Sequence, residues 1–401
     1  YLRAQGMRLV DTEAPPQPAA THRTLRDVGG LPLPPHFVGR KRELRLLRKA
    51  LRDRATTAAF VRGIGGMGKS SLAAKLIERP GTELDGVLVL RCNEVAPEDA
   101  AAKLANFLAG QGKAGHAEAA QLLLHPQLAP ADRARRAAAR VADRRYLLVI
   151  DNFESWQEQE KGEGKGDERQ GSGDALQLLA GLLDARWRSL CLLTGRYRWA
   201  ALDDAVGRDT ALEIHLPALS ARQAIMLMDN LSRLRQEPLT TKLAVFKKVG
   251  GHPKSLELLN GWLKTGRVGD LLDDDALDDL LQAEWEDYFL RALLDRLTPA
   301  EREALARLSV FETALDDDAL AYAEVDAETV QHWLDLSLVQ RQRTELPAQL
   351  PPEIQALLDA LPAAQRRQLQ AQKRYLVHPV VREYLLAQQT ALGLYKLGLP
   401  G

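Results

Sequence analysis

Five short apolar runs punctuate the first half of the chain: Ala58–Val61, Val87–Leu90, Tyr146–Ile150, Leu190–Leu193 and Leu212–Leu216. Their length and their charged or glycine-bearing flanks predict buried strands. Between them the apolar positions switch to helical spacing. Leu44, Leu47 and Leu51 mark a helix over Lys41–Leu51, and Leu176, Leu179 and Leu183 mark another that Asp174 caps. An Ala-rich stretch from Pro97 to Asp143 is divided into several helices by glycines near 110–115 and by Pro126. Strands alternating with helices predict a parallel sheet covered on both faces.

From about residue 217 the strand signal nearly vanishes. Ser220 caps a helix through Asn230, and helical segments continue to about Leu297. Thr298-Pro-Ala-Glu301 is a capping box that opens a last module. Its helices Glu301–Ser309, Asp316–Ala323 and Ala327–Leu336 precede strand candidates at 337–341 and 373–379, a winged-helix pattern. The Pro- and Gln-rich residues 343–372 between those strands read as an expanded wing or an inserted helix. Lys161–Gly173 holds only Gly, charged residues, Gln and Ser and reads as a mobile loop. The expected organisation is a linker or tail of an upstream domain (1–34), an α/β domain (35–216) that the loop Gly63–Ser70 after its first strand marks as a P-loop nucleotide-binding domain, an all-α helical domain (217–297), a winged-helix domain (298–390) and a C-terminal linker (391–401).

Composition adds exclusions. The 401 residues carry 54 Lys+Arg and 54 Asp+Glu, so net charge is zero and nothing in the balance favours nucleic acid or an anionic membrane. Cys92 and Cys191 both lie in apolar strand-like runs, as reduced buried residues of a cytoplasmic protein do. No apolar run reaches membrane-spanning length. The start at Tyr1 leaves room for an upstream leader or domain.

The candidate chemistry centres on Gly63-Ile-Gly-Gly-Met-Gly-Lys-Ser70, directly after the first apolar run. The spacing G-x-x-x-x-G-K-[ST] between a strand and a helix is a phosphate-binding loop. Gly63, Gly65, Gly66 and Gly68 let backbone N–H groups turn inward around a polyanion, with Met67 and Ser71 beside them. The following helix adds its positive dipole end. Lys69 is placed to reach the β- and γ-phosphates, and the Ser70 hydroxyl to ligate Mg²⁺.

Asp151, ending the third strand, is the second candidate Mg²⁺ ligand. Glu154 is the nearby carboxylate that can serve as general base, whereas Asn152 cannot accept a proton, so slow hydrolysis is expected. Arg196, at the end of the next strand, is placed to contact the γ-phosphate or else is a solvated loop arginine.

The order Phe37-Val-Gly-Arg40, Gly63–Ser70, Leu147-Leu-Val-Ile-Asp-Asn152, Leu193-Thr-Gly-Arg196, Gly250-Gly-His-Pro253 and Leu376-Val-His-Pro379 resembles the STAND class of signalling ATPases, and within it the NB-ARC proteins of plant immune receptors and the apoptosome. The likeness spans about residues 35–390 and implies ATP/ADP as ligand with Mg²⁺. It implies that Phe37, Val38, Gly39 and Arg40 lie against base and ribose, and that Pro253 packs on adenine. It also implies that His378 touches the β-phosphate of ADP and locks a closed state. The bland alternatives are a plain helix start at Pro253 and a satisfied core histidine at His378. Pro379 stands where the family has Asp, and Asn152 where many relatives have a second acid. Tyr1–Asp11 looks like the closing strand of a caspase-like CHAT peptidase domain.

The resemblance implies a switch that is closed with ADP. With ATP it opens and forms a homo-oligomer, signalling to effector and sensor domains outside this chain, as in bacterial immunity. The rival reading, a DNA-binding regulator, meets Asp316-Asp317-Asp318, Glu324, Asp326 and Glu328 in the last module and a helix Ala327–Leu336 without Arg or Lys.

Overall fold

The computed structural model describes residues 25–26, 31, 36–53, 55–159, 173–185, 187–264, 266–274, 284–311, 315–342, 374–378, 381–382 and 384–386. The expectations for Tyr1–Asp11, Pro379 and residues 343–372, and nearly all of the 161–173 loop, fall outside these.

Strands β1 (Leu25–Arg26), β2 (Ala58–Arg62), β3 (Gly86–Arg91), β4 (Tyr146–Asp151), β5 (Leu190–Gly195) and β6 (Ala211–His215) form one parallel sheet in the order β1-β3-β4-β5-β2-β6. Five of them are the apolar runs read from the sequence. The sixth lies within the stretch expected as a linker or tail of an upstream domain: Leu25 and Arg26 pair with Gly86 and Val87 at the sheet edge. A two-residue edge strand is too short to show any periodicity.

Every residue of β3, β4 and β5 is buried, as strands of a parallel sheet covered on both faces must be. Alternate side chains go to opposite layers. Ala59, Val61, Val87, Val89, Leu147, Val149 and Leu192 pack under α1 (Lys41–Arg52) and α2 (Lys69–Glu78). Phe60, Leu88, Leu90, Leu148, Ile150 and Leu193 face the other layer. That layer contains α3 (Ala100–Ala109), α4 (His116–Leu123), α5 (Pro130–Arg140), α6 (Glu154–Gln159), α7 (Asp174–Leu183) and α8 (Ala200–Gly207). Gly173, not Asp174, is the N-cap of α7; Asp174 lies in the first turn, where its charge still favours the helix dipole.

The second half contains α9 (Ala221–Met228), α10 (Leu239–Val249), α11 (Pro253–Trp262), α12 (Val268–Leu272) and α13 (Glu284–Leu294). After these come α14 (Pro299–Leu308), β7 (Leu315–Asp316), α15 (Asp317–Tyr322), α16 (Ala327–Asp335), β8 (Val339–Gln342) and β9 (Arg374–Val377). The Ser220 amide donates to Gln223 Oε1 at 3.1 Å, and Thr298 and Glu301 exchange capping bonds. The last three strands form an antiparallel sheet, β7-β9-β8. Leu256, Leu259, Trp285, Phe289, Leu305, Trp333 and Val377 belong to one apolar cluster, so the helical part and the last module share a core. No helix among the described residues is long and apolar enough to cross a membrane.

Candidate nucleotide site

The C-terminal ends of parallel strands are where α/β sheets present ligand sites, and β2, β4, β5 and β6 all deliver their chemistry there. β5 stands between the phosphate loop's own strand and the strand of Asp151. Its end holds both neighbours. The Thr194 hydroxyl donates to Asp151 Oδ1 at 2.6 Å, while the Gly63 amide donates to Gly195 O at 3.2 Å. The carboxylate and the loop therefore have a position set by the strand ladder.

Lys69 opens α2 and is 7% exposed; its Nζ donates to Gly63 O at 2.8 Å and Ile64 O at 3.0 Å within its own loop. Gly66 and Gly68 take φ of 67° and 87°, a region that side-chain-bearing residues rarely adopt. Ser70 and Ser71 occupy the first turn of α2, half-buried.

Asn152 has φ 55°, and its side chain donates to Asn93 Oδ1 at 3.1 Å. Asn tolerates this left-handed conformation better than most residues. The turn lets Phe153 fold into the core and places Glu154 beside the lysine. Arg196 Nε lies 3.2 Å from Glu154 Oε1. Glu154 Oε2 is buried and has no hydrogen-bond partner among the described residues. Burial pushes the Glu154 carboxyl above its ordinary pKa, while the charges of Lys69 and Arg196 pull it back. A carboxylate held this way has one oxygen available as an acceptor and the other beside Arg196.

The upstream motif packs against both cores. Phe37 packs against the core under the sheet, and Val38 packs against the core of the second half. Arg40 is 4% exposed and its guanidinium donates to Pro217 O at 2.7 Å and to Met67 O at 3.2 Å. Burial lowers the pKa of that guanidinium. The arginine clips the phosphate loop to the first residues after the sheet.

From the second half, Gly250-Gly-His-Pro253 reaches the loop. A Cβ on Gly251 would lie 2.0 Å from Leu219 O, so only glycine permits this approach, and Pro253 is the first residue of α11. His252 caps α11, accepting from the Ser255 amide at Nδ1 (3.2 Å), and its Nε2 lies 2.8 Å from Gly65 O. Two positions on, Lys254 Nζ donates to Ser337 O at 2.8 Å, tying α11 to the last module. His378, just past β9, is held well below its ordinary pKa by desolvation, and the charges of Lys254 and His252 act in the same direction.

Lys69 and Arg196 thus bear on Glu154, with Asp151 beside it, while Arg40 holds the loop at Met67 O. That donor set, with a glycine cradle and a buried lysine, fits a polyphosphate and its cation. Sequence reasoning missed the contacts of His252 and Lys254, because a bond from a helix N-cap to a loop 187 residues away leaves no local pattern.

Residues 36–193 match the family model of the AAA ATPase domain. That match, with the strand–loop–helix geometry, supports an α/β P-loop ATPase domain, which implies nucleotide binding. Among solved structures the chain is similar to a signal transduction ATPase with numerous domains (STAND) that has a tetratricopeptide repeat sensor, from Pyrococcus horikoshii. The TM-score is 0.55 at 17% identity, over 89% of this chain and 43% of that one. This likeness extends the shared fold well past the ATPase domain. An overlap with Drosophila ORC bound to DNA has a TM-score of 0.39 at 12% identity over 95% of each chain, too weak to bear on the fold. In sequence the chain is 24% identical over 372 residues to an uncharacterized WD repeat-containing protein of Nostoc sp., covering 87% of this chain and 26% of that protein. The chain spans about a quarter of the length of that relative.

Proposed function

We propose that the chain is the ATP/ADP-dependent switch of a STAND-type, NB-ARC-like signalling protein. The observation that carries the reading is the contact of the second half with the phosphate loop: His252 reaches Gly65 O, on the loop that Lys69 closes and beside which Arg196 meets Glu154. Lys69 and the glycine amides hold the phosphates, while Ser70 and Asp151 hold Mg²⁺. Arg196 meets the γ-phosphate and Pro253 flanks the base. Glu154 aligns water for a slow hydrolysis that resets the switch. The last module, with its three helices and small antiparallel sheet, acts as a winged helix whose His378 senses the β-phosphate of ADP.

With ADP the module closes on the loop; with ATP it opens and the chain self-associates, bringing together effector domains, of which an upstream CHAT peptidase is one candidate. Its work is done in the cytoplasm, with a repeat sensor of the kind the relatives' names describe. α16, bare of Arg and Lys and with His332 paired to Glu301 at 2.8 Å, supports protein rather than DNA as its partner. To move the population from 1:99 to 99:1, the two nucleotides must differ by about 5.5 kcal/mol in their preference for the two forms. Molar mass measured with ADP and with a non-hydrolysable ATP analogue tests this. A larger assembly appearing only with the analogue, and not in Lys69→Ala, is expected; one identical mass in every state contradicts it.

A further inference from the structure

The phosphate loop is gripped by a side chain that lies outside its own domain, and the grip has a direction. His252 is 1% exposed. Its Nδ1 accepts from the backbone N–H of Ser255, so the proton sits on Nε2, and that N–H donates to Gly65 O at 2.8 Å. Burial lowers the pKa of the ring, which preserves this neutral arrangement. All described peptide bonds are trans. In a trans peptide the C=O and the following N–H point in opposite directions. Holding Gly65 O toward α11 therefore turns the amide of Gly66 the other way, to the face of the loop away from His252. Gly66, at φ 67°, is also one of the loop residues with the conformation that inward-turned amides require.

We propose that His252 is a positioning residue of the nucleotide site: its Nε2–H fixes the Gly65–Gly66 peptide so that the Gly66 amide is already aimed at the phosphates. This inference rests on the reading of the loop as a nucleotide site. An unpinned glycine peptide flips freely, and ordering it costs affinity at the moment of binding. The same contact makes phosphate affinity depend on the seating of the helical part, because α11 can leave only by releasing Gly65. The flipped peptide would present a carbonyl to the phosphates, and that repulsion helps expel the ligand.

The test separates gripping from capping. His252→Asn keeps a good N-cap for α11 but is too short to reach Gly65, whereas His252→Gln carries an amide N–H on a longer arm. Each variant, the wild type and Lys69→Ala are titrated with a fluorescent ADP analogue, and melting midpoints are recorded without nucleotide. The expected result is an affinity roughly tenfold weaker for His252→Asn, the worth of one hydrogen bond to a pre-aligned amide. Midpoints should match the wild type, with much of the affinity recovered in His252→Gln. The ¹⁵N resonance of Gly66 should shift in His252→Asn before any nucleotide is added. If His252→Asn binds as tightly as the wild type while Lys69→Ala does not bind, the positioning role is wrong and the nucleotide site stands. If His252→Gln is no better than His252→Asn at equal stability, the donor role is wrong. If the wild type itself does not bind, both fall.

Discussion

The two halves of the molecule hold the same loop by different means. On the sheet side the contacts are built into strand order: Thr194 on Asp151, Gly195 on Gly63, both at the ends of strands buried along their whole length. On the other side, one side chain, His252, reaches the loop at Gly65 O, and Lys254 on Ser337 O ties its helix to the last module. A strand ladder moves only by unfolding. Lone side-chain bonds are each worth about 1 kcal/mol net and can be exchanged. The sheet side is fixed by the ladder, and the helical side rests on contacts that can be exchanged.

The largest effect expected from this contrast is at Lys69. Lys69→Ala should weaken nucleotide binding about a hundredfold or more, since it removes a charge-assisted contact from a buried position. Calorimetric titration with ATP and ADP checks it; retained affinity would mean that the sheet side is not where the phosphates sit. Next is Glu154→Gln, which should cut hydrolysis by about a hundredfold while leaving ADP affinity within about threefold. Single-turnover phosphate release together with the binding curve reads both. If affinity falls with rate, Glu154 is holding the site together rather than acting on water.

Lys254→Met probes the exchangeable side. It removes the bond to Ser337 O, so the last module should detach more readily, with about tenfold more of the open form at a fixed ADP concentration. Small-angle scattering at that concentration measures the change. The smallest effect is on pH. His252 and His378 both hold pKa values below 6.5. Lys69 and Lys254 face the first; Lys254 and His252 face the second. Between those depressed values and 6.5 the unfolded chain binds protons that the folded chain does not, so stability is complete above 6.5 and is lost as pH falls below it. Glu154, raised above 4.5, acts with the opposite sign: its contribution is complete below 4.5 and is lost as pH rises through its folded value. The melting midpoint should fall between about pH 7.5 and pH 5.5, and the slope should flatten in His378→Leu. An unchanged slope would remove His378 from the buried cluster.

The contrast also explains what the sequence made legible. The runs at 58, 87, 146, 190 and 212 announced their strands because central parallel strands are apolar on both faces. Lys69, Asp151 and Glu154 stand out in the sequence because the loop's spacing is local and the carboxylates lie at or just after a strand end. The capping boxes at Ser220 and Thr298 were readable for the same reason. What the sequence did not show was long-range. The bonds of Arg40 to Met67 O and Pro217 O, and the pairing of Leu25–Arg26 with β3, join residues far apart in the chain. His252 looked like a spacer between Gly251 and Pro253, yet it is the residue that touches the loop. Such contacts depend on how the two halves dock, and no periodicity encodes that.

The most direct test of the central claim is a distance between the halves. Cys92 and Cys191 are buried, so cysteines introduced at exposed Leu124 on the nucleotide domain and Val310 on the last module can be labelled selectively with a donor and acceptor dye. The account predicts high energy transfer with ADP, a clear drop when a non-hydrolysable ATP analogue replaces it, and no drop in Lys69→Ala. Equal transfer with both nucleotides, under conditions where both are bound, would contradict it.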